Sequence, residues 1–550
     1  MHLAGKTWGE VATTFRWELP RRFNIAQAIC DVHAGLRADA PALVYEAADG
    51  SPRTFSFAEV GAQACRCANM LAHFGVGRGS IAAIHLPQCP EALISHIAIQ
   101  KLGAIALPLF TLFGPDAIFY RLADSGARVL ITTPAAFERT RDAVAAVDTL
   151  RHVVTVGGDA PTSHDFWSLL DRAASEAATA DTAADDPALL IYTSGTTGNP
   201  KGALHAQRVL LGHLPGVALP HDFFPRPGDR FWTPADWAWA GGLLDVLFPS
   251  LFYGVPVVAS MRAKFDPEWA FAFLGRHGIR NVFMPPTALR LMRQVPNPRA
   301  RHAYALRSVA TGGEKLGADM LGWGRDAFGL DLAEFFGQTE VNLVVGNAPS
   351  LFAVRPGSMG RALPGHSVEI VDDRGQVLPP GTPGVVAVRR PDPVMFLGYW
   401  RNPDATAAKF RGDWCLLGDV ATKDADGHFW FAGRDDDIIS SAGYRIGPGE
   451  VEECLAKHPA VALAGVVGSP DPIRGEVVAA FIVPAPGHAP SPALAAEIQL
   501  FVKERLSAHE YPRKVHFIEE MPTTITGKIR RVELRKLALA ASPTWRDPIR

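Results

Sequence analysis

The chain's most distinctive segment joins an apolar strand to a loop of glycine, serine and threonine that carries a lysine. The strand is predicted over residues 188–192, and the loop continues as Thr193-Ser194-Gly195-Thr196-Thr197-Gly198-Asn199-Pro200-Lys201-Gly202. Glycines let backbone N–H groups converge on an anion, hydroxyls add donors, and Lys201 adds a point charge. This composition predicts a polyphosphate cradle. It is not a Walker A loop, because Pro200 precedes the lysine and Gly202 follows it where serine or threonine is required.

Further motifs follow this loop along the chain. In order they are Thr311-Gly312-Gly313-Glu314-Lys315-Leu316, Glu334-Phe335-Phe336-Gly337-Gln338-Thr339-Glu340, Leu417-Gly418-Asp419 with Gly433-Arg434, and Pro522-Thr523-Thr524-Ile525-Thr526-Gly527-Lys528. A carboxylate such as Asp419 can accept hydrogen bonds from both hydroxyls of a ribose. A carboxylate such as Glu340 suits a hard cation beside a triphosphate. Taken alone, Glu340 would more often be a surface charge or the start of a helix, and Lys528 would be a surface lysine. A solvated turn fits residues 424–427 better than it fits Asp419. It is the order of the motifs along the chain that favours chemistry.

The motifs, in this order, resemble those of the adenylate-forming superfamily of acyl-CoA synthetases, luciferases and peptide-synthetase adenylation domains. The resemblance spans the chain from about Phe23 to Lys528, and the overall pattern looks most like the medium-chain acyl-CoA synthetases. It implies an AMP-forming acid–thiol ligase that uses ATP, Mg²⁺ and coenzyme A. The acid would first become an acyl-adenylate and would then be passed to coenzyme A.

The same resemblance implies roles for individual residues. Lys528, Thr196 and Glu340 would be catalytic, and Glu340 would also hold the metal. ATP or AMP would be bound by Thr193, Ser194, Gly195, Thr196, Thr197, Gly198, Lys201, Gly313, Glu314, Lys315, Glu334, Phe335, Phe336, Gly337, Gln338, Thr339, Asp419, Arg434, Arg445 and Lys528. The chain departs from the family pattern at Leu417, where threonine is usual, and at Lys315, where proline is usual.

The resemblance also implies a hinge, a coenzyme A tunnel and an acyl pocket. Asp436 matches the hinge, and Gly443 and Tyr444 match the tunnel. The acyl pocket would be lined by Trp239, Ala240, Gly241, Gly312 and Gly337. Acetate-specific members have bulkier groups at several of these positions, and a buried CH₂ contributes about 0.8 kcal/mol, so small residues predict a medium-chain or branched fatty acid. Acetate, propionate or an aromatic acid is the alternative.

These motifs need a scaffold of strands to position them, and the first half of the chain shows the pattern of one. Apolar runs at 81–86, 104–109 and 128–132 alternate with helical stretches such as 91–101, which predicts βαβ units with right-handed crossovers in parallel sheets. Residues 163–187 predict a surface helix and loop.

The second half of the chain predicts smaller pieces. Strands at 368–371 and 385–388 predict a small β-rich subdomain, and a helix at 450–458 begins a compact α+β unit. The predicted fold class is α/β, with a large N-terminal domain of parallel βαβ-type sheets plus the β-rich subdomain, followed by a small mobile α+β C-terminal domain. The predicted domains are 1–435, which binds AMP, and 436–550, with the hinge at Asp436.

Composition and cysteine spacing argue against several classes of protein. The 550 residues are 20% charged with a net charge of −2, which gives no electrostatic signature of nucleic-acid binding. No apolar run approaches the length of a membrane span. The six cysteines form no CxxC pair and no Cys/His metal spacing, which favours reduced thiols and a cytoplasmic location.

Three other functions share part of this pattern. A peptide-synthetase-like enzyme would need a carrier domain after Lys528 and an acidic anchor for an amino group, and neither is evident. A luciferase-like oxygenase would use oxygen. A catalytically dead binding protein is disfavoured because Lys201, Glu340, Asp419 and Arg434 are all retained. Lys528 also lies in a Pro-x₄-Gly-Lys context in which some family members are acylated, so a lysine acetyltransferase and deacetylase are candidate partners.

Overall fold

The computed structural model describes residues 3–193, 200–262, 264–314, 316–434, 437, 439–441, 444–471, 475–505, 510–524, 527–540 and 545–546. The chain divides into two compact units. The larger unit comprises residues 1–368 and 388–415, and the smaller comprises residues 369–387 and 416–550. The fold class is α/β, as the sequence predicts.

The described strands and helices are numbered separately in chain order. The strands are β1 Pro41–Glu46, β2 Pro52–Ser56, β3 Ile81–His85, β4 Ile105–Pro108, β5 Val129–Thr132, β6 His152–Thr155, β7 His164–Asp165, β8 Pro187–Thr193, β9 Lys201–Ala206, β10 Phe231–Trp232, β11 Val257–Ser260, β12 Asn281–Phe283, β13 Ser308–Gly312, β14 Ala333–Phe336, β15 Val345–Gly346, β16 Ser358–Ala362, β17 Val368–Val371, β18 Gly384–Arg389, β19 Gly398–Tyr399, β20 Phe410–Arg411, β21 Trp414–Lys423, β22 His428–Arg434, β23 Ile439–Ser441, β24 Tyr444–Ile446, β25 Val461–Asp471, β26 Gly475–Pro484, β27 Lys514–Phe517 and β28 Trp545–Arg546. The α-helices are α1 Trp8–Thr14, α2 Val32–Leu36, α3 Phe57–His73, α4 Pro90–Lys101, α5 Pro115–Ser125, α6 Pro134–Ala145, α7 Phe166–Arg172, α8 Val209–Ala218, α9 Ala240–Gly242, α10 Phe248–Phe252, α11 Pro267–Arg276, α12 Pro286–Met292, α13 Pro298–Arg301, α14 Ala318–Phe328, α15 Pro403–Ala408, α16 Pro448–Leu455, α17 Pro492–Arg505 and α18 Arg531–Ala540. Two π-helical segments lie at Gln27–Asp31 and Leu243–Leu247.

The first sheet of the larger unit carries the phosphate loop. Its strands lie in the order β19-β9-β8-β4-β3-β5-β6-β7. The pairs β3–β4, β3–β5 and β5–β6 are parallel, which confirms the predicted strands near 81–86, 104–109 and 128–132. Strands β8 and β9 pair antiparallel, so the loop that joins them leaves the sheet at one edge of a hairpin.

The second sheet of the larger unit carries the next two motifs. Within this unit its order is β16-β15-β14-β13-β12-β10-β11-β1-β2, and the pairs from β14 to β1 are parallel. Strands β13 and β14 are neighbours, and they end at Gly312 and Phe336. Motifs that follow neighbouring parallel strands emerge at the same edge of a sheet, which is where ligands bind in such folds. The topology therefore brings residues 311–316 beside residues 334–340.

Helix α4 is buried on nearly all sides, and its ends explain why it forms where the sequence predicts. Pro90 occupies the first turn, where its missing N–H costs nothing, and Glu91 lies beside it. Lys101 ends the helix and is buried. Its Nζ lies 2.7 Å from Asp31 Oδ1 and 2.8 Å from Thr179 Oγ1, so the buried charge is paired.

The smaller unit contains two sheet portions and three helices within its described part. Strands β17, β18, β21 and β22 lie in that order, as expected for the β-rich subdomain. A second sheet has the order β24-β23-β26-β27-β28, with β25 paired antiparallel to β26. Helix α16 and strands β25 and β26 correspond to the predicted helix at 450–458 and to the strands after it. The predicted boundary between residues 435 and 436 stays a prediction.

The cysteines are free thiols, and five of the six are buried. Burial raises the pKa of Cys30, Cys67 and Cys415 to about 12. Burial likewise raises the pKa of the Cys89 and Cys454 thiols. These thiols keep their protons at neutral pH, as expected of packing residues. None of the helices in the described part of the chain is long and apolar enough to cross a bilayer.

Buried histidines give the larger unit a predictable sensitivity to acid. His96 lies edge-on to Phe248, with 5.6 Å between ring centroids, and burial lowers its pKa from 6.5 to about 3. Between those values the unfolded chain binds a proton that the folded chain does not, so folding is destabilised as the pH falls. Below pH 6.5, we expect His96→Leu to reduce the dependence of the unfolding free energy on pH by about 1.4 kcal/mol per pH unit.

Urea unfolding between pH 7 and pH 5 measures this slope for the parent and the variant. The exposed His488 provides the control, since His488→Leu should leave the slope unchanged. Parallel curves for the parent and His96→Leu would contradict the prediction.

Candidate functional site

The phosphate loop begins and ends on a paired hairpin. Thr193, the last residue of β8, lies opposite Lys201, the first residue of β9, and its Oγ1 donates to the Lys201 carbonyl at 3.4 Å. The phenol of Tyr120 donates to the carbonyl of Pro200 at 3.1 Å, which fixes the returning end of the loop. The predicted residues Ser194, Gly195, Thr196, Thr197 and Gly198 lie outside the described residues.

Tyr399 connects the phosphate loop to the second motif. The Nζ of Lys201 lies 5.3 Å from the centroid of the Tyr399 ring, within the range of a cation–π contact. The phenol of Tyr399 donates to Glu340 Oε1 at 2.5 Å. The lysine and the carboxylate are 139 residues apart in the chain. Both contact Tyr399, the lysine over its ring and the carboxylate at its hydroxyl. Tyr399 is not among the residues predicted from the sequence, because it lies on a two-residue strand with no motif of its own.

Glu340 is held by its backbone as well as by its side chain. Gln338 and Val341 exchange backbone hydrogen bonds of 3.0 and 3.1 Å, which forms a tight turn around it. Phe396 N donates to the Glu340 carbonyl at 2.8 Å. The residue is only 7% exposed, so the carboxylate is fixed in place and nearly desolvated.

This carboxylate fits the predicted Mg²⁺ site. Mg²⁺ favours one or two carboxylates together with substrate phosphates rather than an all-protein cage. No group of three or more His, Cys, Asp or Glu side chains suited to a metal occurs among the described residues. Glu340 would therefore hold the ion together with phosphate oxygens.

We expect Tyr399→Phe to raise the Mg²⁺ concentration needed for half-maximal activity about tenfold. The phenol orients Glu340, and loss of a hydrogen bond that orients a metal ligand typically weakens metal binding by about 10- to 100-fold. Titration of initial rates with Mg²⁺ at fixed ATP measures the shift. Tyr45→Phe is the control, because the Tyr45 phenol contacts the sulfur of Met261 at 3.3 Å, outside the site. An unchanged Mg²⁺ requirement in Tyr399→Phe would refute the orienting role.

The acidic residues of the two neighbouring motifs make internal contacts. Glu314 accepts from Thr287 Oγ1 at 2.9 Å and from Arg290 at 3.0 Å. Glu334 is buried, and one of its carboxylate oxygens accepts from Leu316 N at 3.4 Å. The Glu314 contacts tie the loop after β13 to helix α12, and the Glu334 contact ties it to strand β14. Lys315 lies outside the described residues.

Three aromatic rings fill the region that the sequence assigns to the acyl pocket. The Phe283 ring centroid lies 5.5 Å from that of Trp239 and 5.2 Å from that of Phe335, and the two phenylalanine rings are stacked at 19°. A Cβ on Gly241 would lie 2.8 Å from Phe283, and one on Gly312 would lie 2.7 Å from Phe335. These glycines therefore make room for rings. In the sequence these glycines predict open space, and Phe283 gives no local signal of a ring beside them.

Gly313, predicted to bind the nucleotide, lies beside these rings, and the remaining predicted pocket residues are Ala240 and Gly337. Gly313 has a φ of +92°, and its Cβ position is 2.9 Å from the Trp239 ring, so only glycine fits there without strain. Ala240 is buried at the start of α9. A Cβ on Gly337 would overlap the backbone nitrogen of Leu343 and would lie 2.7 Å from Asn342 Oδ1. Gly337 is thus required by the close approach of residues 342–343, which the motif alone does not reveal.

The smaller unit places the predicted ribose residues opposite each other. Asp419 on β21 pairs with Arg434 on β22, and Asp419 is 5% exposed. Strand β24 contains Tyr444 and Arg445, which pair with Ser441 and Ser440 of β23. The predicted hinge Asp436 and the tunnel residue Gly443 lie outside the described residues.

Lys528 lies on a short hairpin just before helix α18. Thr523 and Ile529 form a β-bridge, Thr524 Oγ1 accepts from Lys528 N at 3.1 Å, and Gly527 has a φ of +87°. A left-handed conformation of this kind favours glycine. The side chain of Lys528 is exposed.

The sequence matches two family profiles. The profile described as AMP-binding enzyme matches residues 30–400, and the profile described as AMP-binding enzyme C-terminal domain matches residues 450–528. The chain is 38% identical over 547 residues to acyl-coenzyme A synthetase ACSM5, mitochondrial, of Homo sapiens, covering 96% of this chain and 93% of that protein. It is 35% identical to acetyl-coenzyme A synthetase of Bacillus subtilis (strain 168), with coverages of 96% and 93%.

A solved structure is similar across the whole fold. The crystal structure of the anthranilate CoA ligase AuaEII in complex with anthranoyl-AMP superposes with a TM-score of 0.86 at 30% identity, covering 95% of this chain and 98% of that one. The related proteins act on different acids according to their names, so the comparisons establish a shared class of chemistry and leave the acid open.

Proposed function

Since this chain belongs to the AMP-binding enzyme family and is an AMP-forming acid–CoA ligase, we propose how its residues divide the two half-reactions and which acid it activates. The contact chain from Lys201 through Tyr399 to Glu340 supports this function best. It places a positive charge and a buried carboxylate next to a loop of phosphate-binding composition. No protein nucleophile is required, which agrees with the raised pKa of the Cys415 thiol.

In the first half-reaction, a carboxylate oxygen of the acid attacks the α-phosphorus of ATP, and the bond to pyrophosphate breaks. Lys201 and the loop residues 193–198 bind the polyphosphate, while Asp419 and Arg434 hold the ribose. Glu340 would hold Mg²⁺, which would supply positive charge to the phosphate oxygens. Lys528 stabilises the negative charge that builds during in-line attack. The protein's contribution is orientation and electrostatics rather than covalent chemistry.

In the second half-reaction, the thiolate sulfur of coenzyme A attacks the acyl carbonyl carbon, and AMP leaves. We propose that residues 436–550 turn about Asp436 between the two steps, since few residues need to absorb such a rotation. Gly443 and Tyr444 then line the path of the thiol, and Arg445 contacts phosphate.

The acid is proposed to be larger than acetate. A medium-chain or branched fatty acid remains the first proposal, because each additional buried CH₂ contributes about 0.8 kcal/mol. The rings of Trp239, Phe283 and Phe335 favour an aromatic acid as the second candidate, because flat rings stack on one another.

AMP release with ATP, Mg²⁺ and coenzyme A tests this proposal across acids from acetate to laurate, with isobutyrate and benzoate. A maximum at intermediate length supports the fatty-acid proposal, and a maximum at benzoate supports the aromatic one. A maximum at acetate would refute both proposals about the acid.

Two further properties are proposed for Lys528 and for the whole chain. Acetylation of Lys528 would remove its charge and stop adenylation, with an acetyltransferase and deacetylase as partners. Reduced, buried thiols favour a cytoplasmic location. Mass spectrometry of the native protein tests the modification, and Lys528 found always unmodified would leave it without support.

A further inference from the structure

A polar cluster packs against Gly337. It consists of Asn342, His213 and Asp245. His213 and Asp245 are 0% and 3% exposed, and Asn342 is half-buried. Polar side chains as deeply buried as His213 and Asp245 need hydrogen bonds. Both form one with the side-chain amide of Asn342.

The hydrogen bonds fix the orientation of the Asn342 amide. The Nδ1 of His213 lies 2.7 Å from the carbonyl of Val209, so Nδ1 carries the proton and Nε2 must accept. Asn342 Nδ2 lies 3.0 Å from this Nε2 and donates to Asp245 Oδ1 at 2.7 Å. Both protons of the Asn342 side-chain amide are therefore used. Exchanging the positions of Nδ2 and Oδ1 would place an oxygen against two acceptors.

The other end of the amide faces the proposed acyl wall. Asn342 Oδ1 lies 2.7 Å from where a Cβ on Gly337 would be. None of the hydrogen bonds among the described residues goes to this oxygen. An acceptor held in place at the edge of a site, with no donor among the residues that the structure describes, is suited to a donor on the ligand.

The backbone beside Asn342 is strained in a way that holds the amide there. Leu343 has a φ of +65°, an uncommon conformation for a branched residue. Its side chain is fully buried against Gly216, where a Cβ would approach to 2.6 Å. Such conformations cost about 1–3 kcal/mol and persist where the surroundings enforce them, often at ligand sites.

We infer that the acid activated by this enzyme carries a hydroxyl or amino group on its acyl portion, which donates a hydrogen bond to Asn342 Oδ1. This inference rests on the proposed function, since it takes Gly337 as part of the acyl wall. The inference narrows the proposed substrates from acids with an apolar acyl portion to those whose acyl portion also carries one hydrogen-bond donor. Asn342 is then a specificity-determining residue.

Matched acids test the inference in the unmodified enzyme. The 2-, 3- and 4-hydroxybenzoates and aminobenzoates are compared with the corresponding methylbenzoates, and 2- and 3-hydroxyoctanoate with octanoate. We expect at least one donor-bearing acid to exceed its methyl or unsubstituted counterpart in kcat/KM by about a hundredfold or more, because a site built to bond an OH or NH rejects analogues that lack it. Equal or better use of every donor-free acid would overturn the inference.

A variant locates the effect at the amide. Asn342→Leu should reduce the preference to less than about threefold, while Asn69→Leu, whose amide bonds backbone carbonyls elsewhere, should retain it. The ratio of two acids within one variant does not depend on the fraction of folded enzyme. A preference that survives in Asn342→Leu would overturn the assignment to Asn342. Absence of AMP release with any acid would instead overturn the proposed function itself.

Discussion

The Lys528→Ala enzyme is expected to form acyl-adenylate about 100 to 1,000 times more slowly than the parent and to make thioester from supplied acyl-adenylate at nearly the parental rate. A preorganised cation aimed at developing charge contributes this much to a step in which that charge forms. In the second half-reaction the leaving group is AMP, and Lys528 has no proposed task there. The two half-reactions should therefore respond differently to one substitution.

Two assays separate the half-reactions. Acid-dependent ATP–pyrophosphate exchange reports the first, and coenzyme A consumption with synthetic acyl-adenylate reports the second. Lys536→Ala is the matched control, because Lys536 is an exposed lysine of α18 whose Nζ lies 3.3 Å from Glu533. It should leave both rates unchanged. Equal loss of both half-reactions in Lys528→Ala would contradict the division of labour proposed for the small domain.

The Arg531→Ala substitution is expected to destabilise the smaller unit by about 3–5 kcal/mol. Arg531 donates to both oxygens of Glu452 at 2.7 and 2.6 Å, and Glu452 also accepts from Val466 N at 2.8 Å. Burial raises the pKa of the Glu452 carboxyl. The Glu452 side chain is 17% exposed, so removing only the arginine leaves a largely desolvated carboxylate without its charged partner. That loss costs more stability than the intact pair contributes.

Urea unfolding of the full chain, monitored for the transition of the smaller unit, measures this cost. Replacing both partners, in Arg531→Met with Glu452→Leu, should recover most of the lost stability, because a buried pair often contributes little over an apolar replacement. Arg530→Ala provides a neighbouring control at an exposed arginine, with an expected change under about 1 kcal/mol. A double variant no more stable than Arg531→Ala would refute the explanation.

This ion cluster also connects two places that the mechanism uses. Arg535 donates to Asp437 Oδ1 at 2.6 Å, and Arg531 lies 3.7 Å from Asp437 Oδ2. Asp437 follows the proposed hinge residue directly, and helix α18 follows the Lys528 hairpin. The hairpin and the residue after the hinge are therefore joined through one helix.

The sequence predicted the scaffold well because its signals are local. Strands β3, β4 and β5 are continuous apolar runs, and Pro90 and Lys101 mark the ends of α4. Two of the motifs directly follow or overlap the ends of neighbouring strands, β13 and β14. Periodicity and end signals of this kind need only a short window of residues.

The contacts within the site could not be predicted, because they join segments distant in sequence. Tyr399 reaches Lys201 and Glu340 only because β19 pairs with β9. Asn342 meets His213 and Asp245 from 129 and 97 residues away. The space beside Gly241 and Gly312 depends on rings from other strands, so glycine in a motif did not by itself indicate an open pocket.

Burial of the cysteines has a consequence for an enzyme that makes a reactive mixed anhydride. An acyl-adenylate will acylate any thiolate it meets, and the thiolate rather than the thiol is the nucleophile. Cys30, Cys67 and Cys415 hold their protons because burial raises their pKa to about 12. These side chains are thereby protected from self-inactivation by the enzyme's own intermediate, and the acyl group is conserved for the thiol of coenzyme A.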